Sequence, residues 1–169
     1  DVRFVRLDQR RTLFTPVPPA AENGDDALLA STVEWNIAKI RADAVWNGLG
    51  INGAGAVVAT LDTGVDWTHP ALQTKYRGYA PSGPPTHTGN WFDATDLNLA
   101  SPADDNGHGT HTAGSIVGGT SARAIGVAPG AQWIAAKIFR QGGGGAYALD
   151  SWIHAAFQWV IAPNGDPAL

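Results

Sequence analysis

Two short stretches carry the residues best suited to chemistry. Asp62 lies in Leu61-Asp62-Thr63-Gly64, and His108 lies in Asn106-Gly107-His108-Gly109-Thr110-His111. Each titratable side chain stands on a corner bounded by glycine. An aspartate that orients an imidazole, and an imidazole that takes a proton from a hydroxyl, are the orienting acid and general base of a nucleophilic triad. A metal reading competes for the same side chains. His111 follows His108 at a spacing where helical side chains can share a face, so two histidines and Asp62 suggest a metal site. The chain has no H-E-x-x-H or similar metal motif, which argues against that reading.

These side chains need a scaffold. Ala56-Val57-Val58-Ala59-Thr60-Leu61 is an apolar run of small and β-branched residues closed by a turn, and it predicts a buried strand. Asp62 then stands at the carboxyl end of that strand, the edge where open α/β sheets build sites. Thr110 to Val117 predicts a helix of small residues that can lie close to the sheet. Trp133 to Ile138 predicts a second buried strand. Leu149, Trp152, Ile153, Ala156, Phe157, Val160 and Ile161 recur at helical intervals and predict a final helix packed through one apolar face. On its polar positions, His154 reads as solvated. Strand alternating with helix argues for a parallel α/β sheet. Gly48-Leu49-Gly50-Ile51-Asn52-Gly53 fits G-x-G-x-x-G, but its glycines follow a helix and precede a strand. That order is wrong for a dinucleotide site, so the segment reads as a turn.

The two motifs, in this order, resemble the aspartate and histidine motifs of the subtilisin-like serine peptidases (subtilases, peptidase family S8). Gly126-Val127-Ala128-Pro129-Gly130-Ala131 extends the resemblance. Trp35-Asn36-Ile37, Ile40-Arg41-Ala42, Trp46 and Gln158 to Pro163 are similar to the bacillopeptidase F branch. The match runs from about Ser31 to Pro163. The resemblance implies a three-layer α/β/α fold with a mostly parallel sheet, incomplete in this chain. It implies a secreted serine endopeptidase acting on polypeptides, with Asp62 and His108 as two members of an Asp-His-Ser triad. The serine, in a later Gly-Thr-Ser motif, and the oxyanion asparagine are expected beyond Leu169, so the fragment alone is expected to be inactive. Ser121, in Gly119-Thr120-Ser121, comes too soon and is followed by Ala-Arg-Ala rather than the family's pattern. The resemblance makes His111 structural, packed behind His108. No cofactor is required for the chemistry. Some relatives bind a structural calcium through an aspartate where this chain has Ala71, and Gly118 to Ile125 carries no acidic residue, so that site is not carried over.

Two rival readings stand beside this one. Asp62-Thr63-Gly64 also looks like the Asp-Thr-Gly loop of aspartic peptidases, but those pair two aspartates across an all-β architecture, which the final helix and the histidine motif contradict. A catalytically inactive subtilase-fold binding module is the other, and the residues beyond Leu169 decide it.

Composition bounds the remaining choices. The chain has 169 residues, enough for one domain with a real core. Hydrophobic residues make up 44 % and charged residues 15 %, with 21 glycines and 11 prolines, which suits a compact, loop-rich protein. A net charge of −4 disfavours nucleic acid. Cysteine is absent, excluding disulfides and thiolate metal sites. No apolar run reaches the ~18–20 residues of a membrane span.

Residues 1–30 are expected to hold the end of a propeptide plus a linker, and residues 31–169 the N-terminal half of the catalytic domain. Asp1 to Asp8 reads as a β-like stretch, either the last propeptide strand, and so a partner of the enzyme, or a solvated strand. Thr15 to Asp26, rich in proline, reads as a linker. Ser31-Thr32-Val33-Glu34 has capping-box spacing, with Trp35, Ile40, Ala44 and Val45 along one helical face. Trp35 and Trp46 are expected to pack. Gln73 to Ala103 is too irregular to assign; as a long loop it either frames the cleft or covers the core, with His69 and His87 as surface or loop residues. Asp104 and Asp105 read as turn residues bonding to backbone. Gly142 to Gly145 reads as a flexible loop, beside a substrate cleft or as a surface linker.

Overall fold

A computed structural model describes residues 6–13 and 33–165. In chain order its elements are β1 (Arg10–Thr12), α1 (Trp35–Lys39), α2 (Ala42–Leu49), β2 (Val57–Asp62), β3 (Trp91–Asp93), α3 (His108–Val117), β4 (Gln132–Lys137), β5 (Tyr147–Leu149) and α4 (Asp150–Ile161). A single 3₁₀ turn covers Gln73–Lys75.

The sheet that matters for the site has the order β2-β4-β3, all parallel. β4 is central. Trp133 to Lys137 are all buried, which is why this strand reads as an unbroken run rather than an alternating one. Val57 pairs with Gln132 and Asp62 with Lys137, so the carboxyl ends of β2 and β4 coincide. The two faces are covered by different helices. Ala113 and Val117 of α3 pack with Trp133, Ala135, Leu72 and Tyr76. Ala156 of α4 packs on the opposite face with Ala136 and Ile138, flanked by Leu61, Phe92 and Trp159. Helix, sheet and helix thus form the three layers expected from the α/β reading.

Several elements differ from the sequence-based expectation. The single helix expected after Ser31 is two helices. Arg41 takes a left-handed conformation (φ 60°) and turns the chain between α1 and α2. Ser31 lies outside the described residues, and α1 begins at Trp35 behind an extended Glu34 that makes no side-chain cap. The break rotates the expected face outward. Trp35 and Ile40 are each 62 % exposed, whereas Ile37 and Ala42 are buried. Trp46 does pack, donating its indole N–H to Val127 O at 2.9 Å. In α4, Phe157 (58 %) and Ile161 (69 %) are exposed, while Trp159 stacks on Phe92. Two overlapping apolar stripes fit the same spacing, and the small Ala156 turns toward the sheet.

Gln73 to Ala103 supplies β3 and much of the core. Tyr76 and Trp91 are buried there, and His87 bonds the Tyr76 hydroxyl at 3.1 Å, so His87 is no free surface histidine. Of the β-like stretch expected at Asp1 to Asp8, only residues 6–8 are described, and they form no strand. The observed strand is β1, at Arg10–Thr12, antiparallel to β5. Residues 1–5 and the linker from Thr15 to Asp26 lie outside the described residues. Gly48 to Gly53 is a helix exit and turn, with Gly50 left-handed at the end of α2. Gly142 and Gly145 exchange backbone hydrogen bonds in a tight turn leading into β5.

Candidate active site

β2 delivers Asp62 to the end of the sheet, and Gly107 turns the chain so that α3 starts at His108. His108 Nδ1 lies 2.7 Å from Asp62 Oδ1 and 2.9 Å from Oδ2. A carboxylate only accepts, so Nδ1 carries the proton, and in the neutral imidazole Nε2 is then the acceptor. The backbone N–H of Thr63 donates to Asp62 Oδ1 at 2.7 Å, fixing the carboxylate. Asp62 is 8 % exposed. The His108 side chain is 29 % exposed, open enough to meet a reacting group.

The corner and the helix touch because both are glycine-rich. A Cβ on Gly109 would stand 2.0 Å from Gly64 O and 3.1 Å from Asp62 Cβ. Gly64, at φ 105°, passes so close to residue 103 that a Cβ there would stand 1.9 Å from Ala103 O. The smallness of the helix, visible in the sequence, is what brings imidazole and carboxylate into bonding distance.

Three residues around this pair were not marked for the site by sequence reasoning. Thr63 is 1 % exposed, and its hydroxyl accepts the Gly109 N–H at 2.9 Å. Lys137 is fully buried, and its ammonium donates to Thr63 O at 2.5 Å and to Asp105 at 2.7 Å. Asp104 was read as a turn residue. It does take backbone N–H groups, but it also accepts hydroxyls from Thr63 and Thr110. Burial pushes the Asp104 carboxyl up, but hydrogen bonds from Thr110, Gly107 and Thr63 outweigh it and hold the group below its usual value. The only signal available was a pair of aspartates just before the histidine motif.

His111 is not packed behind His108. It is exposed and lines a cavity of about 1070 Å³ with Asp66, His69, Leu72 and Thr110. Among the described residues, no group of three or more His, Cys, Asp or Glu side chains is placed to hold a metal. The residues at Ala71 do not fit a calcium ion. Its methyl is buried, and its carbonyl already accepts the Gly119 N–H at 3.0 Å. Ser121 is exposed and lies past the far end of α3 from His108.

Comparison with known proteins agrees with this architecture. Residues 53–166 match the model of the subtilase family. The chain is 44 % identical to Bacillopeptidase F of Bacillus subtilis (strain 168) over 97 % of its own length and 11 % of that protein. It is 35 % identical to Subtilisin E of the same organism over 81 % of this chain and 32 % of the relative. Subtilisin BL of Lederbergia lenta is 37 % identical over 69 % of this chain and 38 % of its own length. The chain belongs to the subtilase family of serine peptidases, and it is bacillopeptidase F-like. It spans about a tenth of Bacillopeptidase F and about a third of the subtilisins it matches.

Proposed function

We propose that the complete protein is a serine-type endopeptidase that hydrolyses peptide bonds in proteins. In this reading Asp62 is the orienting acid and His108 the general base, with the serine and the oxyanion asparagine beyond Leu169. The supporting observation is the bond from His108 Nδ1 to both oxygens of a nearly buried Asp62, at 2.7 and 2.9 Å. That bond fixes the tautomer in which Nε2 takes the serine proton. It also stabilises the imidazolium that then protonates the leaving amine. The chemistry calls for no metal or cofactor. A secreted, extracytoplasmic location is part of this proposal, as the family resemblance implies. Among the described residues, no helix is long and apolar enough to cross a membrane.

The test is Asp62→Ala and His108→Ala in the full-length protein, assayed on a chromogenic peptide. Each is expected to lose ~10⁴-fold or more in kcat, a scale measured on subtilisin, a member of the same family, rather than worked out from this structure. Near-wild-type turnover by either variant refutes the assignment. A downstream sequence without the serine would make the protein an inactive binding module.

The propeptide reading extends to β1. Arg10–Thr12 adds an antiparallel strand to β5. Asp8 accepts the Ser151 N–H at 2.9 Å, placing a carboxylate at the positive end of α4. Arg11 bonds both oxygens of Asp150, at 2.8 and 3.1 Å. Such a docked strand, joined through a proline-rich stretch, suits a segment that assists folding and is then cut away.

A further inference from the structure

The residues that follow Asp62 and His108 are themselves joined. Gly109 N–H donates to Thr63 Oγ1 at 2.9 Å, and that hydroxyl donates onward to Asp104 Oδ1 at 2.8 Å. The same Asp104 oxygen accepts the N–H groups of Asn106 at 3.1 Å and Gly107 at 2.9 Å. Its other oxygen accepts the Thr110 N–H at 2.9 Å and the Thr110 hydroxyl at 2.6 Å. Thr110 Oγ1 in turn accepts the Asp66 N–H at 2.9 Å. One carboxylate therefore ties the corner after β2, the turn before α3 and the first turn of α3. The neighbouring Asp105 adds a second tie through the buried Lys137 to Thr63 O.

From this network we infer that Asp104 is a positioning residue, which acts through Thr63 and Thr110 to set the distance and angle between Asp62 and His108. The inference rests on the proposed roles of that pair. An ordinary helix cap would need only the backbone N–H groups of α3. Here both threonine hydroxyls are recruited, and that of Thr63, the residue after Asp62, bonds the backbone of Gly109, the residue after His108. Hydroxyl donors to a carboxylate are short and directional, so the clamp holds orientation as well as position. Loss of the clamp lets α3 slide on β2, and a displacement of about 1 Å at a reacting pair can cost on the order of 10²-fold.

The test uses the full-length enzyme and compares Asp104→Asn, Thr63→Val and Thr110→Val with the hydroxyl-keeping Thr63→Ser and Thr110→Ser. The expected result is a roughly 10- to 100-fold fall in kcat for the first three, with KM within about twofold. The acid limb of kcat/KM, which reports the free-enzyme imidazole, should move to lower pH, because a displaced carboxylate stabilises the imidazolium less. The serine variants should recover most of the activity. The inference is overturned if folded Asp104→Asn enzyme, counted by active-site titration, keeps wild-type kcat and acid limb while losing only thermal stability. If that variant fails to fold, the threonine pairs decide, and equal kcat for Thr63→Val and Thr63→Ser overturns it. Wild-type activity in His108→Ala would instead overturn the proposed roles on which this inference rests.

Discussion

Replacing Gly109 by alanine should separate the two halves of the site. The added methyl would stand 2.0 Å from Gly64 O. Ordinary carbon–oxygen contacts are about 3.3 Å or more, so α3 and the corner must part by about 1.3 Å. The Asp62 Cβ, 3.1 Å from the same methyl, blocks an easy sideways escape. A rigid shift of that size carries the His108–Asp62 bond from 2.7 Å to about 4 Å, beyond hydrogen-bonding range. The expected effects are a fall in kcat/KM of about 10²-fold and a stability loss of about 1–3 kcal/mol from overpacking. The assay is peptide hydrolysis by full-length Gly109→Ala, with a melting curve on the same sample. Gly48→Ala is the control, because a Cβ at that position meets nothing within 4 Å and α2 gains helix propensity. If Gly109→Ala keeps kcat/KM within about threefold of wild type, the close approach of Gly109 to Gly64 is not what holds His108 against Asp62.

Two further outcomes are expected. The Asp104 carboxyl is held below its ordinary value, so in acid the unfolded chain binds a proton before the folded chain does. Its contribution to stability is complete above the ordinary carboxylate pKa of about 4 and is lost as pH falls through the lower folded value. Melting temperatures measured down the acid range should therefore fall less steeply for Asp104→Asn than for wild type, and parallel curves would refute this. The propeptide reading predicts that N-terminal sequencing of the mature enzyme finds a start between Thr15 and Ser31. A mature chain that still carries Arg10–Thr12 would make β1 a permanent strand.

The site's two central residues were legible because their signals are local. A carboxylate at the end of an apolar run and an imidazole between glycines are read without knowing what lies opposite. β4 was equally plain, since a strand buried on both faces shows as a continuous apolar run, here Trp133 to Ala136. Where the structure departed from expectation, the cause was a distant pairing or a backbone conformation that no residue pattern announced. β3 has three residues and little pattern of its own, and it exists because it pairs with Ala135–Lys137. Trp35 carries the hydrophobicity of a core residue, but the left-handed Arg41 splits its helix and leaves it exposed.

The sequence by itself indicated the class of fold and the candidate pair Asp62 and His108 from residue types at short spacing, and its motifs carried the resemblance to the family. Only the tertiary structure decided how that pair is held. Thr63, Asp104 and Lys137 are ordinary polar residues in the sequence. They matter because the parallel pairing of β2 with β4 and the close approach of α3 bring their donors and acceptors together, out of bulk water, where each must find a partner.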